Sequence, residues 1–234
     1  MHSIHSTILK ELKDPKNQKP SSWDTESYLL SGHTYYGVPV PTRRKIAKMW
    51  LREHSNLSKK EFFDAIDTLM KGDSHEEKTI AAILLEYSPE MRKTVTFKQL
   101  NEWLNHLVGW AEIDALCSGT FKAEDFMIDW DGWKTFIQKL VKDKNINKRR
   151  AALVFLVYPI HYISNPDIAQ FSFEVIEELK HEKPIIITKA ISWVLRSGVG
   201  HHTEAIKKYI QLNQDTLPKI AIRETIRKIE TGRK

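Results

Sequence analysis

Trp110-Ala-Glu-Ile-Asp114 sets a tryptophan and an aspartate four residues apart. In a helix that spacing places both on one face, one turn from each other. A carboxylate beside a large aromatic wall can hold positive charge, the first by direct attraction and the second through its ring face. The rest of the chain leans the other way, with 36 Lys and Arg against 30 Asp and Glu and a net charge of +6. One fixed anion among cations suits a substrate that is anionic overall and cationic at its reacting point. Trp193, much later in the chain, offers a second aromatic wall. Blander roles compete. Asp114 is flanked by Ile113, Ala115 and Leu116, a setting that is costly unless the carboxylate is exposed or paired. An ion pair with Arg150, or capping of a neighbouring helix, would satisfy it. Trp110 alone would more often be core. Glu112 lies off the Trp110–Asp114 face and reads as structural.

Other chemistries find little support. The ten histidines include no His-Glu-x-x-His, and the single cysteine, Cys117, leaves no Cys pair, so no metal site is expected. His201-His202 reads as an exposed pair in a Gly-rich turn, with side chains that diverge. Cys117 follows Asp114 by one turn, has no base beside it, and reads as a small buried residue. One cysteine allows no intrachain disulfide and fits a reducing cytoplasm. Gly198-Val-Gly200 is too short for a phosphate loop and reads as a helix C-cap. No cofactor is expected. Trp50, Trp103, Trp130 and Trp133 fit core positions.

The elements that must carry these residues read as helix after helix, an all-α chain. Apolar residues recur at steps of three and four, and strand-like alternation is nearly absent. Capping boxes mark three starts, at Ser58-x-x-Glu61, Ser74-x-x-Glu77 and Thr96-x-x-Gln99. Breakers fall at Pro39, Pro41, Gly72, Pro89, Gly132, Pro159, Pro166, Pro184, Gly198 with Gly200, and Pro218. No linker is long, so residues 1–234 read as a single domain. A weak repeat runs through helices opening near Lys45, Lys78, Trp110, Arg150, Lys189 and Arg223, at the period of helix-pair solenoids. The expected architecture is a HEAT-like or armadillo-like α-α superhelix with these helices on its concave face. Helices at 58–71, 96–107, 133–142, 172–180 and 203–212 would form the outer layer. Five of the six inner helices open on Lys or Arg, which would line a cationic surface suited to a phosphate backbone. No apolar run approaches the ~20 residues of a membrane span. The N-terminus lacks the basic and apolar regions of a signal peptide. A soluble cytoplasmic protein is expected.

Several segments, in order, resemble the AlkD-type DNA alkylation repair glycosylases. They are Gly37-Val-Pro-Val-Pro-Thr-Arg-Arg44, Trp110-Ala-Glu-Ile-Asp114, Lys148-Arg-Arg-Ala-Ala-Leu-Val-Phe155 and Thr188-Lys-Ala-Ile-Ser-Trp-Val-Leu-Arg196. The last is the most specific, a basic residue and Ala-Ile, then a small residue and Trp-Val-Leu-Arg. The resemblance runs from about Tyr28 to Lys228. It implies a HEAT-like solenoid that cradles duplex DNA and excises purines alkylated at N3 or N7 without flipping the base. It implies that Asp114 is the catalytic carboxylate, that Trp110 and Trp193 flank the lesion's sugar, that Arg150 holds backbone phosphate, and that Tyr28 faces DNA. Arg44, Lys45, Arg149 and Lys189 are the further candidates for phosphate contact. Ala111 departs from the family's frequent second Asp, which bears on rate and DNA preference. Double-stranded DNA bearing alkylated purines is the expected partner, in a nucleoid-associated monomer without an obligate protein partner. A non-catalytic HEAT-like module that binds bent or branched DNA is the alternative, with a protein-binding scaffold behind it.

Overall fold

A computed structural model of the protein describes residues 3–19 and 25–233. Among them, regular structure is helical, and the one strand-like feature is a parallel bridge between Thr34 and Ser74. The chain divides into two compact units, Met1–Thr120 and Phe121–Lys234.

The first unit holds α1 (Ser3–Lys13), a 3-10 turn, α2 (Thr25–Leu29), α3 (Val40–Glu53), α4 (Lys59–Met70), α5 (His75–Glu86), α6 (Pro89–Arg92), α7 (Phe97–Trp103) and α8 (Gly109–Cys117). All three capping boxes form in both directions, so α4, α5 and α7 begin where the sequence places them. The centre is α5, which packs against α1, α3, α4 and α8 and is buried from His75 to Leu85. A helix with no exposed face needs internal partners for any polar residue it carries. Its first turn carries five, and each has them. The Glu76 carboxylate accepts the backbone N–H groups of Gly37 (2.9 Å), Val38 (3.1 Å) and Tyr36 (3.1 Å). Glu77 joins Ser74 to His5 Nε2 at 2.6 Å. Thr79 accepts from Arg43, which also reaches His75. Thr34 N–H donates to Asp73 O (3.0 Å) and His75 N–H to Thr34 O (2.9 Å), so residues 34–38 lie along the start of α5. Gly37 has φ +78°, and a Cβ there would stand 2.8 Å from Lys19 O, so this crossing needs glycine.

Lys78 corrects one expectation. It is 3% exposed, donates to the carbonyls of Met70 and Gly72, and burial pulls its pKa down. It ties α5 to the end of α4 and does not offer a surface cation.

The second unit holds α9 (Ala123–Ile128), α10 (Trp130–Val141), α11 (Ile146–Tyr162), α12 (Pro166–Leu179), α13 (Ile185–Leu212) and α14 (Lys219–Thr231). Here α11 is central and packs on α10, α12 and α13, while α13 packs on α14. Trp133 fills the core between Phe126 (4.5 Å between ring centres), Phe155 (5.1 Å) and Phe121 (5.3 Å). Two breakers behave otherwise than expected. Pro159 lies inside α11, which continues to Tyr162. Gly198 and Gly200 precede the break and do not form it: α13 is two helices joined across a kink at His202 (φ −131°, ψ 29°), beyond which the expected outer helix at 203–212 runs to Leu212. Gly198 serves close packing, since a Cβ there would come within 2.8–2.9 Å of Ile160 and Ile206. His202 is buried, with Nε2 3.0 Å from Ile163 O, and only His201 of the pair is exposed.

The expected alternation therefore holds within each unit. Successive second helices (α3, α5, α8, and then α11, α13, α14) pack on one another, with α4, α10 and α12 packed alongside. This is an all-α helical-repeat fold.

Replacing Glu76 by Ala strands the buried N–H donors of Gly37 and Val38 and the part-buried one of Tyr36, each buried loss costing roughly 1–3 kcal/mol. A loss of several kcal/mol is expected by urea denaturation. A midpoint unchanged from wild type would contradict this account of the α5 start.

Candidate functional site

The residues of α8 separate cleanly by face. Ile113, Leu116 and Cys117 are fully buried, and Glu112 is 1% exposed. Trp110, Ala111, Asp114 and Ala115 are half-exposed on the other side. The period of 3.6 residues explains the split: Trp110 and Asp114 share a face, and Glu112 points nearly opposite. The small Ala111 and Ala115 leave room beside the tryptophan and the carboxylate.

Trp110 is held in place. Its indole Nε1–H donates to Tyr28 O at 2.8 Å, and the Tyr28 ring meets it edge-to-face, with centres 5.0 Å apart at 84°. Edge-to-face contact of this kind places the positive edge of one ring on the negative face of the other. Tyr28 itself remains 53% exposed. The approach of α2 to α8 depends on Gly109, whose φ is +77° and whose absent Cβ would collide with Leu29 O. Leu30, next along, is a non-glycine residue with positive φ (56°) and is exposed. Tyr28 is thus brought to Trp110, with Asp114 one turn further along the same face of α8.

The start of α8 has no side-chain N-cap from Val108. Glu112 supplies one from within the helix, accepting Val108 N–H at 2.9 Å. Its carboxylate also takes His33 Nδ1 at 2.9 and 3.1 Å, and His75 Nδ1 lies 3.4 Å away, an ion-pair separation longer than a good hydrogen bond. Burial alone would raise the Glu112 pKa. The hydrogen bonds from His33 and Val108, with His75 Nδ1 close by, outweigh it and hold the carboxyl below its ordinary value. Sequence reasoning assigned Glu112 a structural part but missed both histidines.

The basic candidates divide. Lys45 and Lys189 are exposed. Arg44 is half-exposed and is held by Tyr87 Oη at 2.8 Å and Glu86 at 2.9 Å, with its guanidinium 5.5 Å from the Tyr87 ring centre. Arg149 is bidentate to Glu182 (2.7 and 3.0 Å) and caps the carbonyls of Asp143 and Lys144. Arg150 is 4% exposed and donates to Ile186 O, fixing the start of α13. With Lys78, Arg150 is the second of the five basic openings that lies in the interior. Trp193 is half-exposed on α13. Trp50, Trp103, Trp130 and Trp133 are core residues, as their spacing implies.

The helix pairs and a half-exposed Trp–Asp face define the chain as an all-helical repeat protein with one prepared polar-aromatic surface on α8. The chain belongs to the DNA alkylation repair enzyme family, whose sequence model matches residues 6–229. Membership makes DNA the substrate class. A solved structure described as a predicted DNA alkylation repair enzyme from Enterococcus faecalis has the same fold, with a TM-score of 0.73, 18% identity, and coverage of 94% of this chain and 97% of that one. No curated protein matches the chain.

Glu112 and Glu77 both titrate below the ordinary glutamate value of 4.5 in the folded protein. For Glu77, too, burial raises the pKa and the bonds from His5 and Ser74 more than offset it. Groups depressed on folding add stability above their unfolded pKa and lose it as pH falls. Urea midpoints are therefore expected to drop as pH is lowered through 4.5, and to drop less steeply in Glu112→Gln. An equal slope in both proteins would contradict the assignment.

Proposed function

We propose that the chain is a monofunctional DNA glycosylase that hydrolyses the N-glycosidic bond of cationic N3- or N7-alkylated purines in duplex DNA. The observation that carries this reading is the pinned Trp110 ring with Asp114 one turn away on the same half-exposed face. An alkylated purine is positively charged, so its departure with the bonding electrons leaves it neutral. Positive charge moves onto the deoxyribose as the bond from C1′ to nitrogen breaks. A fixed carboxylate beside C1′ stabilises that sugar cation and orients water. The water oxygen bonds to C1′, its proton passes to Asp114 or to solvent, and an abasic strand remains. Trp110 and Trp193 contribute ring-face contacts to the charged nucleotide, on the order of 0.5–2 kcal/mol each.

In this reading the exposed Lys45 and Lys189 contact phosphate, with Arg44 and Tyr28 beside the duplex. Arg149 and Arg150 act by holding α11 to the Glu182 and Ile186 segments rather than as free cations. The base stays stacked, as a site that acts from the backbone side requires, and the departure of the leaving group selects lesions by charge. The protein works as a monomer, and its DNA substrate places it with the nucleoid in the cytoplasm.

Asp114→Asn is expected to slow release of 7-methylguanine from methylated duplex by ~10²–10³, while duplex affinity stays close to wild type. The assay is run in EDTA, and wild-type activity should survive it. Wild-type protein that binds methylated duplex but releases no base would favour the non-catalytic DNA-binding module instead.

A further inference from the structure

The DNA reading leaves the most elaborate polar cluster of the first unit without a task. Glu112 is 1% exposed, and a carboxylate there is strongly disfavoured unless each oxygen is bonded. A leucine would fill the same space between α8 and α5 at no electrostatic cost. The groups around it come from three separate stretches: His33 from the segment after α2, Val108 N–H from the turn before α8, and His75 from the first turn of α5. Arg43 on α3 extends the chain outward, lying 3.4 Å from His75 Nε2 and donating to Thr79. If Arg43 donates to Nε2, the His75 proton sits on Nδ1 and faces Glu112. These stretches are also the ones that set the half-exposed face. His33 lies three residues after Leu30 and five after Tyr28, whose carbonyl and ring hold Trp110. Val108 and Gly109 fix where α8 begins, and hence the rotation that presents Trp110 and Asp114.

We infer that Glu112, with His33 as its half-exposed partner, is the positioning residue of the Trp110–Asp114 face: it locks the Tyr28 segment and the start of α8 to α5, and so sets the distance and rotation of the tryptophan and carboxylate toward the damaged nucleotide. The inference rests on the glycosylase reading for its substrate, but its geometric content does not. Glu112 touches no reacting atom. It acts through Trp110 and Asp114, where a displacement of about 1 Å can cost up to ~10²-fold in rate.

The test uses the full chain with tryptophans replaced by 5-fluorotryptophan. The Trp110 fluorine resonance is assigned by its loss in Trp110→Phe. Glu112→Gln retains shape and an acceptor for Val108, and His33→Ala removes the partner with less risk to folding. Glu102→Gln, which alters the pair of exposed Glu102 with half-exposed His106 (3.4 Å) in the same unit, is the control. Single-turnover release of 7-methylguanine and affinity for duplex bearing an abasic-site analogue are measured in parallel. The expected result is a displaced or split Trp110 resonance in Glu112→Gln and His33→Ala, with the other tryptophan resonances unmoved. Release should be about ten- to hundredfold slower with affinity within about twofold, and Glu102→Gln should match wild type in both. An unchanged Trp110 resonance in both variants would overturn the inference, as would resonance changes spread over all tryptophans, the sign of a merely structural loss. If wild type itself released no base, the glycosylase reading would fail and the fluorine spectra alone would decide the positioning role.

Discussion

A fully buried helix that begins with His-Glu-Glu-Lys-Thr must find a partner for every one of those side chains inside the protein. That constraint organises the first unit. Glu76 draws in the backbone of residues 36–38, Glu77 draws in His5, Lys78 holds the end of α4, and His75 faces Glu112 on α8. The Glu76, Glu77 and His75 contacts are local in space and long-range in sequence, and Lys78 adds a shorter tie to the preceding helix, so the start of α5 works as a hub that fixes its neighbours' rotation and depth. Apolar burial supplies the driving force; the polar hub decides which packed arrangement wins. Buried charges often add little net stability, and here their value lies in specifying geometry.

That specification matters at α8. The helix buries Ile113, Leu116 and Cys117 and leaves Trp110 and Asp114 half-exposed. Its start is fixed from three directions, by the Leu29 backbone against Gly109, by Tyr28 against Trp110, and by Glu112 against Val108 and the histidines. A carboxylate that stabilises a developing cation is effective because it is already in place when the charge appears and need not reorganise. The chemistry proposed for Asp114 and the hub beneath it are therefore one argument. The Asp114 carboxylate is half-exposed, and that of Glu112 on the opposite side of α8 is buried and bonded.

Much of this was legible in the sequence because it is written locally. The three capping boxes fix helix starts within a few residues, and the 3.6-residue period places Trp110 with Asp114 and sets Glu112 apart. The same period sends Trp50, Trp103, Trp130 and Trp133 to the core. What was not legible depends on distant partners. His33 and Glu112 are separated by 79 residues, and no spacing rule links them. Lys78 and Arg150 look like surface cations in sequence, yet they bond the carbonyls of Met70, Gly72 and Ile186 in the interior. Gly198 looks like a helix stop, yet it is small because Ile160 and Ile206 press against it. Pro159 lies within α11, which continues past it to Tyr162. Helix boundaries and faces follow from neighbours in the chain, whereas the fate of a charge or a glycine follows from neighbours in space.

The central claim is that the Trp110–Asp114 face stabilises positive charge arising on the sugar of an alkylated nucleotide. Its most direct test compares base release from duplexes of identical sequence carrying either 7-methylguanine or a neutral lesion such as hypoxanthine. The account predicts release of the cationic base, dependent on Asp114, and none of the neutral one. Equal release of both, or release of the cationic base that persists undiminished without the Asp114 carboxylate, would contradict it.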